Sequence, residues 1–429
     1  MAIPSTNAPV RSAATNDNYR PALTVLTTLF FMWGFLTALN DILVPHLKPI
    51  FDLNYTQIML IQFAFFSSYF VFSIPAGKLT EWLGYKRALV AGLITLGIGA
   101  LLFIPAATVA SYPLFLGALI VLAGGMTILQ VAANPYVSVL GPPETASSRL
   151  NLTQAFNSLG TTIAPYLGGL IILGTVPVMS EIRAMAPDAL QAFRVQQASS
   201  VKLPYLGLGL IALALAAVIA SFKLPTITSA EHHSGDVDQS IWKYRHLILG
   251  AIGIFVYVGA EVSIGSFLVN YFSQPEIGNI TEKAAAGFVS LYWLGAMIGR
   301  FIGSVVLQKL KTGIVLGTAA IGACLLVCIS MLTFGHLAMW SIILVGFFNS
   351  IMFPSIFTSG IAKLGPMTSK GSSLMIMAIV GGAILPVLTG ALADRIGIHH
   401  AFIIPAVCYL FIMYYGFKGS EPTGPGITA

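Results

Sequence analysis

Residues 21–45 read PALTVLTTLFFMWGFLTALNDILVP. No charged side chain occurs from Pro21 to Asn40. Wound as a helix rising about 1.5 Å per residue, that run is long enough to cross the ~30 Å apolar layer of a bilayer. It ends on Asp41, and a carboxylate placed centrally in a membrane helix costs roughly 2.5–3.5 kcal/mol. The run decides the fold class; the carboxylate raises the question of function.

Elsewhere the chain repeats the apolar part of that pattern. Its 429 residues are 56% hydrophobic and 8% charged, with a mean hydropathy of +0.87. Soluble domains carry about 25% charged residues, so this composition cannot supply a water-facing surface. The chain reads as an all-α integral membrane protein set in a lipid bilayer. In such a protein a net charge of +6 reports orientation and gives no reason to expect a nucleic-acid partner. The first twenty residues are polar and lack the apolar core of a cleaved signal peptide, so the first run is expected to stay in the mature protein. Cys324, Cys328 and Cys408 stand in apolar runs and are read as small buried side chains, not a disulfide framework.

Runs of membrane length recur at 22–45, 57–77, 88–107, 112–134, 150–173, 203–222, 246–272, 286–307, 312–333, 337–361, 372–393 and 400–418, which predicts twelve transmembrane helices. Open sheets would leave backbone groups unpaired in lipid, so strands are excluded. Residues 174–202 are polar enough for a short surface helix. The most polar stretch between spans is 223–245, and it divides the chain into six-helix bundles at 22–222 and 246–418, with tails at 1–21 and 419–429. Fourteen of the 21 Lys and Arg fall in the tails and loops on the side of the termini, six on the other side, and Arg300 lies within a span. The excess puts both termini and the 223–245 linker in the cytoplasm.

The halves echo each other. ANPYVSVLGPPE followed by SSRLNLTQAFNSLGTTIAPYLGG is matched by FPSIFTSGIAKLGPM followed by SSLMIMAIVGGAILPVLTGALAD. Each holds a proline expected to close a span (Pro135, Pro354), a Leu-Gly-Pro loop, a Ser-Ser start and a late proline (Pro165, Pro386). Duplicated six-helix halves are the design of a major-facilitator transporter, which binds its solute between them near mid-membrane.

Such a carrier needs hydrogen-bonding groups within its spans. Thr37, Asn40 and Asp41 stand in the first, and Gln130 and Asn134 share a face of the fourth. Asn151, Thr153, Gln154, Asn157 and Ser158 crowd the fifth, Tyr257 and Glu261 sit four apart in the seventh, and Asn349 is in the tenth. A lone amide in a membrane helix serves equally as helix–helix glue, but clustered amides both donate and accept, as sugar hydroxyls do. Trp33, Trp293 and Phe353 are available for stacking on a sugar ring or for packing. Asp41 is either wetted at the interface and structural, or a site whose charge changes as a coupling ion enters, H+ or Na+. Glu261, near mid-span, is either an ion or ligand site or a protonated acid bonded to a neighbouring helix. Arg300 either pairs with a carboxylate or, as its position favours, extends to the cytoplasmic surface.

GKLTEWLGYKR, after the second run, resembles the basic gating loop of major-facilitator proteins, with Gly77, Glu81, Gly84, Lys86 and Arg87 in its key places. ADRIGIHH at 393–400 looks similar but falls on the external side, and no gating role is assigned to it. The pairs His232–His233 and His399–His400 are expected in loops without metal-ligand company. Nothing fits a nucleotide loop, a zinc motif or a Ser/His/Asp set, so neither an enzyme nor an ATP-driven pump is expected, and no cofactor.

WGFLTALNDILVP, LQVAANPYVSVLGPPE, SSRLNLTQAFNSLG, YVGAEVSIGSF, GRFIGS and FFNSIMFPSIF together resemble the fucose–galactose–glucose symporter family of the major facilitator superfamily, over about residues 22–418. The resemblance implies a monomeric, inner-membrane, cation-coupled sugar importer working by alternating access. Asp41 matches a functional first-span aspartate, and Gln154 and Asn157 match sugar-contacting positions. Where the L-fucose–proton member has a fourth-span glutamate, this chain has Gln130; Glu261 matches a seventh-span glutamate of the glucose/galactose branch. The expectation is a symporter for glucose or galactose. Asp41 couples the ion (and ligates it if it is Na+), with Glu261 as the second coupling candidate. Gln130, Gln154, Asn157 and Glu261 line the sugar site, and Asn40 and Asn349 are weaker candidates. A carrier or uniporter for another sugar or polyol such as L-fucose, and a non-transporting nutrient sensor, are the alternatives.

Overall fold

A computed structural model describes residues 19–51, 55–172, 185–199, 202–222, 224–225 and 240–424, and the regular structure among them is helical. The first part of the chain forms α1 (Arg20–Phe51), α2 (Tyr55–Val109), α3 (Tyr112–Val139), α4 (Ala146–Ile172), α5 (Pro187–Ser199) and α6 (Lys202–Ser221). The second forms α7 (Arg245–Ser273), α8 (Glu282–Val306), α9 (Thr312–Leu332), α10 (Gly335–Asn349), α11 (Met352–Gly360), α12 (Thr368–Met377), α13 (Gly381–Ile396), α14 (Ile398–Ala401) and α15 (Ile403–Tyr414).

Ten stretches among the described residues are long and apolar enough to cross a membrane. Two features raise that to the twelve expected from the sequence. The stretch Phe63–Val109 has 47 residues and turns back at Gly84, whose φ of 76° and ψ of 164° suit glycine and break the helix. It is therefore two spans, and the loop expected at 78–87 is helical on either side of that one residue. The other is α4, whose 27 residues carry Asn151, Gln154, Asn157 and Ser158 and so fall below the apolar threshold. The surface helix expected within 174–202 is α5.

Helices in lipid gain little from hiding apolar surface, so close approach at small residues holds them together. A Cβ at Gly34 would run into the Asn157 carbonyl and one at Gly160 into the Phe31 carbonyl, so α1 and α4 touch backbone to backbone. Gly99 and Gly125 do the same between α2 and α3.

The expectation that Pro135 and Pro354 close their spans is corrected. Helix α3 continues past Pro135 to Val139, and Pro354 lies inside α11 just after the break between Asn349 and Met352. A proline cannot bond the carbonyl four residues before it, which frees Val131 O and Ser350 O. Each is taken by a side chain from another helix: Ser372 Oγ donates to Val131 O at 2.9 Å, and Arg300 Nε to Ser350 O at 3.2 Å.

The first six and last six spans meet at the face where α1 begins and α15 ends. There α4 lies along α8 and α11, while α12 lies against α2 and α3. Ser147 Oγ is 2.6 Å from Thr358 Oγ1, and Ser148 Oγ donates to Ser304 O at 2.5 Å. Together with Ser372 on Val131 O, these bonds come from the two Ser-Ser starts of the sequence repeat. Arg149, counted in sequence among loop cations, is 5% exposed and ties the α3–α4 turn by donating to Ser138 O at 2.7 Å and Pro142 O at 2.8 Å.

Two further expectations change. His399 and His400 form α14, not a loop; His399 is buried, stacks on Phe334 at 5.0 Å and meets Tyr271 Oη at 3.1 Å through Nδ1. Gly397, before them, has φ 83° and ψ 154°, close to the values at Gly84. Cys408 is buried as expected, but Cys324 and Cys328 are half-buried; all three thiols are free. His232, His233, most of the 223–245 linker and both chain ends lie outside the described residues.

Candidate functional site

Helix α4 presents its polar side chains on one face because Asn151, Gln154 and Ser158 recur at intervals of three and four. That face looks onto α8. Asn151 is fully buried and its Nδ2 donates to Arg300 O at 2.6 Å. Ser158 Oγ accepts from Arg300 Nη1. Gln154, between them, is 6% exposed, and among the described residues its amide makes no hydrogen bond. Asn157 turns to the adjacent helix, where its Nδ2 donates to Phe30 O at 2.9 Å and braces the α1–α4 contact.

On α3, Gln130 Nε2 donates to Tyr69 Oη at 2.8 Å. Asn134, one turn on, is fully buried with neither Nδ2 nor Oδ1 partnered. Among the described residues, the hydrogen bonds of the Gln130 and Asn157 side chains thus stay within the first six spans. The side chains of Asn40 and Asp41 lie outside the described residues, although α1 runs through both positions.

Facing α4 is a compact network from four helices. Tyr257 Oη donates to Glu261 Oε1 at 2.7 Å, with Asn349 O at 3.2 Å as a longer second acceptor. Asn349 Nδ2 donates to Tyr292 Oη at 2.8 Å, and Tyr409 lies against the same amide. Tyr257, Tyr292, Tyr409 and Asn349 are all sealed, whereas Glu261 and Arg300 are half-buried. Arg300 acts on Glu261 through space. It does not extend to the surface, the reading its sequence position favours. The break before Pro354 offers it Ser350 O inside the protein, and Ser158 waits on the opposite half. Arg300 therefore joins the carboxylate network of the last six spans to the amide face of the first six.

Sequence reasoning found Tyr257, Glu261 and Asn349. It missed Tyr69, Tyr292 and Tyr409, because a tyrosine in an apolar run looks like packing. It also missed Ser304, Thr358 and Ser372 as bridging residues. Of the aromatics offered for stacking, Trp33 is buried against Phe30 at 5.4 Å, Phe353 stacks on Phe357 at 6.0 Å, and Trp293 is 43% exposed. At the gating loop, Gly77 is packed so tightly on Ser373 of α12 that a Cβ would overlap its hydroxyl. Lys86 Nζ donates to Ala220 O at 2.7 Å at the end of α6, while Glu81 and Arg87 are exposed. Among the described residues no group of three His, Cys, Asp or Glu gathers as a metal site.

Several known proteins share this architecture. A family model described as the Major Facilitator Superfamily matches residues 24–378. A glucose/galactose transporter of Brucella abortus is 53% identical, over 98% of this chain and 99% of its own length. An L-fucose–proton symporter of Escherichia coli is 37% identical, over 96% of each chain. A major facilitator transporter crystallised in the outward conformation superposes with a TM-score of 0.87 at 35% identity, covering 96% of this chain and 100% of that one.

Proposed function

This chain belongs to the Major Facilitator Superfamily, and from that premise we propose that it is a cation-coupled symporter of glucose or galactose working by alternating access. It is a multi-pass membrane transporter, not an enzyme. The observation that carries the hexose reading is the Gln154 amide, without a partner among the described residues, on the face where a neutral amide row of one half meets the Glu261–Arg300 network of the other. A site of amides and hydroxyls suits a neutral polyhydroxyl solute, and the Brucella relative named a glucose/galactose transporter is the most similar of those described above. Gln130 disfavours L-fucose, since the fucose–proton pattern carries a glutamate there.

In this reading residues 22–222 and 246–418 are the two rocking bundles. Gln130, Gln154, Asn157 and Glu261 line the sugar site, with Asn40 and Asn349 contributing. Asp41 is the coupling carboxylate and Glu261 its partner in sensing the ion. The relatives named fucose–proton symporters favour H+; Na+ held at Asp41 is the alternative. The lysine and arginine excess makes the face bearing the termini cytoplasmic, in the inner membrane, and the protein acts as a monomer. Gly77, Glu81, Gly84, Lys86 and Arg87 then form the cytoplasmic gating loop. The bonds from Ser147, Ser148 and Ser372 seal that face, which corresponds to an outward conformation.

Uptake into proteoliposomes, with H+ and Na+ gradients imposed separately, tests the reading for wild type and Asp41→Asn. One gradient is expected to drive glucose or galactose uphill, and the variant to lose accumulation. A variant that still concentrates sugar makes Asp41 structural; no uptake with either ion removes the hexose assignment.

A further inference from the structure

Between α8, α9 and α10 the outer surface carries a groove. Ile302, Leu310, Ile314 and Phe348 contribute its wall, and Gly303 and Ile351 its inner edge. That edge is the back of the joint between the halves: it adjoins the break opened by Pro354, and a Cβ on Gly303 would press on both Ile351 and Asn151 Nδ2. The groove is apolar and opens outward from the helix bundle, on the side where the surrounding helices expose Ile302, Leu310 and Ile314.

The turn beside it is charged. Leu310 lines the groove within the tight turn joining α8 to α9, where Leu310 N donates to Val306 O at 3.0 Å, and Lys309 and Lys311 flank it. Both lysines are exposed, and among the described residues neither is ion-paired. The chain contains no Asp or Glu from Lys283 to Ala393 to answer them. Glu421, next to the Ser420 that approaches Gly313 at the start of α9, makes no ion pair with either lysine.

We propose that this groove binds one anionic phospholipid, with its phosphate on Lys309 and Lys311 and one acyl chain along α8, α9 and α10. Lysine stems lie on apolar surface while their ammonium groups reach the headgroup layer, and basic pockets between membrane helices attract anionic headgroups. A zwitterionic lipid brings its own cation to two lysines that already lack a counter-charge, so the site discriminates by headgroup. The acyl chain rests on Ile351 and so braces the α10–α11 break that presents Asn349 and Ser350 to the network inside. The inference is independent of which sugar is carried.

Native mass spectrometry of the full chain tests it, with phosphatidylglycerol and phosphatidylethanolamine of identical acyl chains titrated in turn. Phosphatidylglycerol is expected to be retained roughly tenfold better. Lys309→Gln with Lys311→Gln reduces it to the phosphatidylethanolamine level, while Lys309→Arg with Lys311→Arg keeps it. Ile314→Trp, at an exposed wall position, displaces both lipids, and Lys363→Gln with Lys370→Gln leaves binding unchanged. Equal retention of the two lipids, undiminished binding in the Gln pair, or loss in the Lys363/Lys370 pair overturns the proposal, the last because it would mean diffuse charge attraction.

Discussion

The two halves share their joints and differ in their chemistry. Pro135 and Pro354 occupy matching places, each frees a carbonyl, and the two Ser-Ser starts each supply a bond to the opposite half. Yet the first half offers Gln130, Asn134, Gln154 and Asn157, all uncharged, whereas the second offers Glu261 and Arg300 among three sealed tyrosines. A joint must fit its counterpart each time that face closes, so change there is constrained on both sides. Residues facing the space between the halves have no such duty. The asymmetry assigns solute recognition mainly to the amide half, and it gives the second half a charged pair that acts alongside Asp41 of the first.

Glu261→Gln challenges that division most directly. It keeps the shape and the hydrogen bond from Tyr257 but removes the charge, leaving Arg300 unanswered. Uphill accumulation should disappear, while sugar exchange at equal concentrations on both sides of the vesicle continues. If accumulation survives and only the affinity for sugar changes, Glu261 is a sugar ligand and the charged half has no separate task.

Arg300→Ala should come next in size. It strips Ser350 O of its donor, breaks the link to Ser158 and leaves Glu261 without its nearby cation. Glu261 and Arg300 are half-buried, so the loss is below the roughly 2–5 kcal/mol of a fully buried pair, and it falls on the state sealed at the terminal face. Cysteine placed at Ser148 should become accessible to a thiol reagent from that side. Arg300→Lys should not restore protection, because an ammonium lacks the planar fork that reaches Ser350 O and Ser158 together. Unchanged labelling in the Ala variant would reduce Arg300 to a local brace.

Gln154→Ala probes the amide half and should be milder. A single neutral hydrogen bond contributes about 0.5–1.5 kcal/mol, so KM for the sugar should rise roughly 2- to 10-fold with the ion dependence intact. A shift in ion dependence instead would tie the amide row itself to coupling, beside Asp41.

How much of this was legible in sequence follows from what was local. The spans were, because twenty apolar residues state their own length, and Tyr257 with Glu261 was, because four residues make one helical turn. Helix α4 was legible through the same polar face that hides it from a hydropathy threshold. Arg300 was misread because sequence gives only its distance from the end of α8, whereas its orientation is set by a carbonyl that Pro354 frees more than fifty residues away. Tyr292 and Tyr409 were missed for a like reason: their hydroxyls acquire meaning only when α10 brings Asn349 between them. Asp41, whose side chain lies outside the described residues, is legible as the carboxylate that ends an uncharged run of membrane length.

The smallest effect is expected at Asn134, and it sharpens the comparison from the amide side. Its buried side chain has no partner at either end, and leaving a buried donor or acceptor unmade costs about 1–3 kcal/mol. Nothing within α3 requires an amide there, since Ser138 Oγ uses only the Asn134 backbone carbonyl. In a carrier that alternates between two arrangements, an amide unpaired in one is explained if it is paired in the other, or by the solute. Asn134→Leu, close in volume, should therefore raise thermal stability of the sugar-free protein by about 1 kcal/mol while slowing the transport cycle. Melting curves and uptake rates on the same preparation check both. A variant that melts lower shows that the amide is bonded in this state after all. One that melts higher and transports at the wild-type rate leaves Asn134 without a task in the cycle, and the amide half then reduces to Gln130, Gln154 and Asn157.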